Sequence, residues 1–343
     1  MTSLTTVASL ARQICPTPVT TVTVAYHGIT HRILLKRECY LPTGSIKYRT
    51  AIGLLAGMDA ERPLHPGTVI VESTSGGLGA ALAHLLAPIG CQFIAVIDPK
   101  TPAAIRQRLV AAGAQLHCVT DSDGHGGYLY SRLRLVRELC QENPHYRWTN
   151  QYDNPANSRI HQDTTGPEIT QQAGPGLDGV YAAVSTGGTL AGIAAHIRPL
   201  GRPVRIVAVD SQGSYATTPQ PGAWRNIPGI GASRPSTLLR PGSYDRAVHV
   251  RDADAIAVCQ IFHADTGVRL GGSSGHVLHA CLADLAGPLP PARPLCLCAD
   301  DGDRYTDTIY DPGWIAEVGL AAGVRASLGR LRGSGLSFAI DVR

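Results

Sequence analysis

Short β-branched and apolar runs that alternate with stretches of helical spacing limit what this chain can fold into. Thr68–Val71, Gln92–Ile97, Gln115–Val119, Val180–Val184, Arg205–Val209 and Leu295–Cys298 read as buried strands. Ala80–Ala87, Ala103–Ala112, Gly127–Cys140, Leu190–Ile197, Asp254–Asp265 and His276–Leu285 read as helices. Apolar strands joined through helices belong to parallel sheets covered on both faces, an α/β fold. Composition agrees with a packed enzyme of one large or two medium domains. Of 343 residues, 44% are hydrophobic and 16% charged, with a formal net charge of +4. Disordered chains are far more charged, and a nucleic-acid surface needs a denser basic stripe. Collagen and coiled coils need a strict short period that is absent here. No run of 18 apolar residues is present, so no membrane span is expected. Arg12 interrupts the only apolar start, and the chain reads as cytoplasmic.

The nine cysteines form no CxxC pair and are odd in number, which argues against a disulfide framework. Cys91, Cys118, Cys296 and Cys298 lie in or beside apolar runs and read as buried reduced thiols. Cys296 and Cys298 would share one side of a strand, but two ligands do not make a metal site. His276 and His279, three apart on a helix, lack the carboxylate of a zinc motif and read as a surface or satisfied pair. No metal is expected.

Glycine is concentrated where strands end. Four segments stand out: Pro42-Thr-Gly-Ser-Ile-Lys47, Glu72-Ser-Thr-Ser-Gly-Gly-Leu-Gly79, Ser185-Thr-Gly-Gly-Thr189 and Gly271-Gly-Ser-Ser-Gly275. A Ser/Thr/Gly loop before a helix offers unpaired backbone N–H groups to an anion. Any one of them could be no more than a capped turn. The dinucleotide fingerprint and the nucleotide P-loop are both missing. The chain has three lysines, Lys36, Lys47 and Lys100, against twenty-seven arginines. A protein that uses arginine for charge and keeps Lys47 in a glycine–serine loop points to amine chemistry, since arginine forms no Schiff base, although Lys47 taken alone reads more simply as a solvated lysine at a helix start. The long stretch Thr217–Ala232 is glycine-rich and reads as a functional loop.

In this order these segments resemble the cysteine synthase and cystathionine β-synthase group of pyridoxal-phosphate enzymes. That family reads PxGSxKxR around its Schiff-base lysine, matched by Pro42 to Arg49. Its TSGNTG carboxylate loop is matched by Thr74 to Gly79, and its GTGGT phosphate loop by Ser185 to Thr189. Its QFxNPAN segment is matched by Gln151 to Asn157, and its pyridine-nitrogen serine by Ser273. Within the group, Asp121 to Tyr128, Ile227 to Arg234 and Asp301 to Tyr305 look like the branch that makes 2,3-diaminopropionate for siderophores or peptide antibiotics.

The resemblance implies a fold-type-II, tryptophan synthase β-like architecture of two α/β domains with pyridoxal 5′-phosphate between them. A smaller mobile domain would span 40–155, a larger one 1–39 plus 156–325, and a tail 326–343. Lys47 would hold the cofactor and move the substrate α-proton. Ser185, Thr186, Gly187, Gly188 and Thr189 would cradle the cofactor phosphate, with Gly77 and Ser273 also facing the ring. A serine there cannot protonate the pyridine nitrogen as an aspartate would, which favours β-elimination over transamination. Ser73, Thr74, Ser75, Gly76 and Gln151 would hold the substrate carboxylate. Tyr152, Arg132 and Arg234 would meet a second, acidic substrate, and His125 would line the entrance or sit in a turn.

The implied reaction is β-replacement on an activated serine: O-phospho-L-serine and L-glutamate giving N-(2-amino-2-carboxyethyl)-L-glutamate and phosphate. An O-acetylserine or O-phosphoserine sulfhydrylase is the alternative, and a ligand-binding relative without turnover is a third reading. The implied partners are small amino-acid substrates, a second copy of the chain in a homodimer, and a separate downstream NAD-dependent oxidative enzyme. Two positions depart from the family pattern: Gly77 replaces an asparagine that reaches the cofactor's 3′-oxygen, and Tyr48 replaces an aspartate.

Overall fold

The computed structural model describes residues 6–12, 14–74, 76–123, 127–218 and 224–341. The chain opens with α1 (Val7–Ala11) and a hairpin of β1 (Val19–Tyr26) and β2 (Ile29–Arg37). It continues through α2 (Lys47–Glu61), β3 (Val69–Ser73), α3 (Gly77–Leu86), β4 (Gln92–Ile97), α4 (Ala103–Ala111), β5 (Gln115–Cys118), α5 (Leu129–Glu142) and β6 (Arg147–Trp148). It returns by α6 (Ala156–Ile160), α7 (Gly166–Ala173), β7 (Gly179–Ala183), α8 (Gly188–Ile197), β8 (Arg205–Ser211) and β9 (Arg246–Val250). Last come α9 (Asp252–Thr266), α10 (Gly272–Leu285), β10 (Pro294–Cys298), α11 (Pro312–Glu317), α12 (Ala321–Gly333) and β11 (Ser337–Ile340).

These strands build two sheets. The smaller is parallel throughout, in the order β5-β4-β3-β6. The larger runs β11-β1-β2-β10-β7-β8-β9 and is parallel from β2 onward. Helices cover both faces of each sheet, as the apolar strands β3, β4, β7 and β10 require. On the large sheet, Val22, Val24, Ile33 and Leu35 pack with Ile256, Phe262, Val277 and Leu282. Leu34, Val180, Ala182 and Leu295 face Ile169, Leu190 and Ile193 on the other side. On the small sheet, Ile70, Phe93 and Ala95 pack with α2 and α3, while Val69, Val71, Ile94 and Val96 meet Val136. Among the described residues no helix is long and apolar enough to cross a membrane.

Three features differ from the sequence reading. The large sheet is not purely parallel, because β1 pairs antiparallel with both β2 and β11. His27 and Gly28 turn the β1–β2 hairpin with φ of 50° and 75°. Two consecutive positive values suit the tight turn that matches strand twist. The stretch expected as a tail from 326 instead finishes α12 and forms β11. Cys118 is exposed and Cys91 half-buried, while Cys259, Cys281, Cys296 and Cys298 are buried thiols. His276 is the satisfied member of its pair, with Nδ1 on Gly272 O at 2.9 Å and Nε2 on Asp252 Oδ1 at 3.2 Å.

Candidate active site

The carboxyl ends of β7 and β10 lie side by side in the large sheet, and glycine segments follow β7 and β3. Crevices at such strand ends are where open parallel sheets bind ligands. One cavity here is lined by Ile46, Lys47, Ala183, Ser185, Thr186, Gly187, Thr189, Gly229, Leu297 and Ala299. It therefore joins the start of α2 to the start of α8.

Lys47 is the first residue of α2, and its backbone N–H donates to Ser45 Oγ at 3.3 Å. Among the described residues its amine makes no ion pair. Burial pushes that amine down to about 8, against the opposing charge of Glu72. An amine in that range is partly neutral near physiological pH and so can act as a nucleophile or a base.

Opposite it, Ser185–Thr189 forms a cradle at the N-terminus of α8, which no side chain caps. Gly187 takes φ of +88°, and a Cβ there would lie 2.2 Å from Ser236 Oγ. A Cβ on Gly188 would lie 2.2 Å from Asn157 Oδ1, so both glycines are required by space. Ser185 Oγ donates to Gly231 O at 3.1 Å, and Ser236 Oγ donates to Thr186 O at 2.6 Å. Thr189 Oγ1 lies 3.3 Å from His161 Nε2, and His161 also meets Thr50 of α2 at 3.2 Å. Burial, with Arg49 and Lys47 nearby, holds His161 well below its usual value and hence neutral.

The β3–α3 loop forms a third wall. Thr74 Oγ1 accepts from the N–H of Gly79 at 2.9 Å and of Gly76 at 3.3 Å. Gln151 is held twice: its N–H donates to Glu72 Oε2 at 3.0 Å and its Nε2 to Ser73 O at 3.0 Å. Glu72 is buried and also accepts from Ser73 N, Trp148 Nε1 and Thr149 Oγ1. Burial raises its pKa against those donated bonds. Asn157 Nδ2 donates to Gln151 O at 2.7 Å and to Thr186 Oγ1 at 3.1 Å, tying this wall to the cradle. A Cβ on Gly77 would lie 3.3 Å from Lys47 Cγ and 3.2 Å from Ser45 Oγ. The position that lacks a side chain is thus directly against the lysine.

Residues 10–300 match the family of pyridoxal-phosphate dependent enzymes. The chain belongs to that family. It is 39% identical over 302 residues to an N-(2-amino-2-carboxyethyl)-L-glutamate synthase of Ralstonia nicotianae, covering 88% of this chain and 89% of the relative. A synthase of the same name from Cupriavidus metallidurans is 36% identical, with 90% and 92% covered. O-ureido-L-serine synthase, solved with O-ureido-L-serine bound, superposes with a TM-score of 0.79 at 26% identity, covering 92% of this chain and 98% of that one.

The cavity of this pyridoxal-phosphate enzyme fits its cofactor. It offers a primary amine with a lowered pKa, an uncapped helix start for a phosphate, and apolar walls at Ile46, Ala183 and Leu297. The expected residues are not all gathered there. Ser273 is buried in the first turn of α10, outside the lining of the cavity. Ser73 is buried with an unpartnered hydroxyl, while Ser75 and His125 lie outside the described residues. Arg132 is buried, with Nε 3.2 Å from Asp98 Oδ2. Arg234 is committed to Asp153 through both terminal guanidinium nitrogens, at 2.8 and 3.3 Å. Its Cζ lies 5.9 Å from the Tyr152 ring centroid.

Sequence reasoning missed Glu72, Asn157 as a tie, and a buried cluster under α2. In that cluster Arg49 bonds Glu38 Oε2 at 2.7 Å and both oxygens of Glu168 at 2.6 and 2.8 Å. Lys36 bonds Glu168 Oε2 at 2.6 Å. The available signal was four charges in apolar surroundings, which stay buried only when paired.

Proposed function

We propose that this enzyme replaces the β-substituent of O-phospho-L-serine with the amine of L-glutamate, forming N-(2-amino-2-carboxyethyl)-L-glutamate and phosphate. The Cβ–O bond breaks, phosphate leaves with its electron pair, and a Cβ–N bond forms as the amine loses a proton. The observation that carries the reading is the pairing of a low-pKa lysine with an anion cradle in a chain whose relatives bear that synthase name. Pyridoxal phosphate, when bound, supplies the electron-withdrawing ring that labilises the α-proton and the β-substituent.

The chain's own residues do the rest. Lys47 takes the α-proton and returns it. Ser185 to Thr189 hold the cofactor phosphate on the start of α8. Thr74, Ser75, Gly76 and Gln151 hold the substrate carboxylate, and Ser273, in the first turn of α10, would meet the ring nitrogen once the cofactor is bound. The sheet of β3 to β6 closes on the substrate, bringing the Thr74–Gly76 loop toward Lys47 and excluding water. The enzyme works as a cytoplasmic homodimer and passes its product to a separate oxidative enzyme in siderophore or antibiotic synthesis.

Incubating the purified enzyme with O-phospho-L-serine and L-glutamate should release phosphate and give the adduct by mass spectrometry. Sulfide outcompeting glutamate by a large factor would favour the sulfhydrylase reading instead.

A further inference from the structure

Beside the cofactor cavity, parts of both sheets meet in a charged patch. Asp98 and Lys100 come from the β4–α4 loop and Arg132 from α5. Tyr152 and Asp153 follow β6, while Trp224, Arg225, Ser233 and Arg234 belong to the β8–β9 connection. Lys100 Nζ sits 3.1 Å from the Trp224 ring centroid, so the two sides touch. A Cβ added at Gly127 would lie 3.1 Å from Ser233 Oγ, a second contact across the same seam.

The cations of this patch are not equivalent. Arg132 is paired with Asp98 and Arg234 with Asp153. Arg225 forms no ion pair among the described residues. Its Nη1 donates to Gly213 O at 2.8 Å and its Nη2 to Ser233 Oγ at 3.0 Å, both neutral acceptors. Those bonds fix the plane of the guanidinium and leave further N–H donors for a ligand. The position is close to the reaction. A Cβ on Gly231 would lie 3.0 Å from Arg225 Cδ, and the Gly231 carbonyl takes the Ser185 hydroxyl of the cradle at 3.1 Å. Arg225 is therefore one residue's thickness from the Ser185–Thr189 cradle.

We infer that Arg225 recognises the side-chain carboxylate of a dicarboxylic amine substrate. This deepens the proposed function and rests on it. A fixed, unneutralised guanidinium suits a planar carboxylate bound through two parallel hydrogen bonds. It replaces Arg234, whose fork is already filled by Asp153. The departing phosphate is the other anion with the same chemistry, so the test separates the two.

Arg225→Gln and Arg225→Lys would be assayed with O-phospho-L-serine plus either glutamate or glutamine, whose amide is neutral at the same place. Phosphate release in a single turnover without any amine reports the first half of the reaction. Loss of a charge-assisted bond should lower kcat/KM for glutamate roughly 10- to 100-fold in Arg225→Gln. Glutamine turnover and the phosphate burst should be nearly unchanged, with part of the glutamate loss restored in Arg225→Lys. Equal losses with glutamate and glutamine, or a loss confined to the burst, would overturn the assignment. Glutarate, a dicarboxylate without an amine, serves as a probe independent of turnover. It should raise the melting temperature of the wild type but not of Arg225→Gln. If the wild type uses neither amine, the proposed reaction fails, and the glutarate arm alone decides for or against Arg225.

Discussion

Arg49 stands two residues beyond Lys47, and its removal tests whether the buried charges hold the reactive helix in place. Its side chain and that of Glu38 are fully buried, and it bridges Glu38 to Glu168. With Lys36, the cluster holds two cations and two carboxylates. Arg49→Met leaves two carboxylates sharing one lysine, with the Thr17 hydroxyl still bonded to Glu38 at 2.6 Å. Breaking a buried ion pair on one side costs about 3–5 kcal/mol. At about 2.1 cal/mol/K per residue, the unfolding entropy of a 343-residue chain is about 0.7 kcal/mol/K. The melting temperature should therefore fall by about 4–7 °C. Calorimetry at neutral pH with saturating pyridoxal phosphate checks this, since cofactor bound to the native state shifts the transition. The informative comparison is the double variant Arg49→Met/Glu38→Gln. Removing the stranded charge should make it less destabilised than the sum of the singles by about 1–3 kcal/mol. A shift under about 1 °C for Arg49→Met, or strict additivity in the double variant, would refute the cluster as the anchor of α2.

Three further outcomes are expected. Gly188→Ala should displace Asn157, lose its bonds to Gln151 and Thr186, and cost about 1–3 kcal/mol together with cofactor affinity. Absorbance titration of the stripped protein with pyridoxal phosphate reads the affinity. The Lys47 amine becomes neutral as pH rises through about 8, so cofactor loading should climb between about pH 7 and 9 and level off. A midpoint near that of an ordinary lysine would contradict the burial, and Lys47→Ala should take up no covalent cofactor. Burial raises the Asp254 carboxyl, but bonds from Arg251 and Ser327, with the charges of His279 and Arg251, outweigh it and hold it down to about 2 from 3.8. Its folded pKa is depressed, so its contribution is present above the unfolded value and is lost as pH falls from about 4 toward 2. Asp254→Asn should be destabilised at pH 7 in denaturant titrations and much less so at pH 2.

The parallel strands were legible because burial on both faces leaves an unbroken apolar run, as in Val69–Val71 and Leu295–Cys298. Helix starts were placed too late at α3, α8 and α10, since the glycines read as loops are their first turns. Helix α2 was invisible for a different reason. It is buried from Tyr48 to Leu55, so it shows no amphipathic period, and Gly53 sits where a Cβ would meet Ile160 at 2.7 Å. The half-exposed hairpin strand β1 has no continuous apolar run to find. In the site, residue type and spacing marked Ser185–Thr189 as an anion loop, and Lys47 stood out through the family resemblance. Glu72 and Asn157 did not stand out, because Glu72 is held by Trp148, Thr149 and Gln151 and Asn157 reaches Thr186, partners that only the fold brings near; Arg225 stood in a glycine-rich connection with no motif to mark it.

The order of strands also sets a timetable for synthesis. The small sheet is made from one stretch, β3 to β6, and its neighbours can pair as soon as they emerge. In the large sheet, β2 has to wait for β10, and the free edge of β1 is closed only by β11. Until then β1 presents an open strand edge, a template for pairing with another chain. The N-terminal hairpin is thus made early but completed last. A nascent chain lacking β10 and β11 should be more prone to association than the finished enzyme.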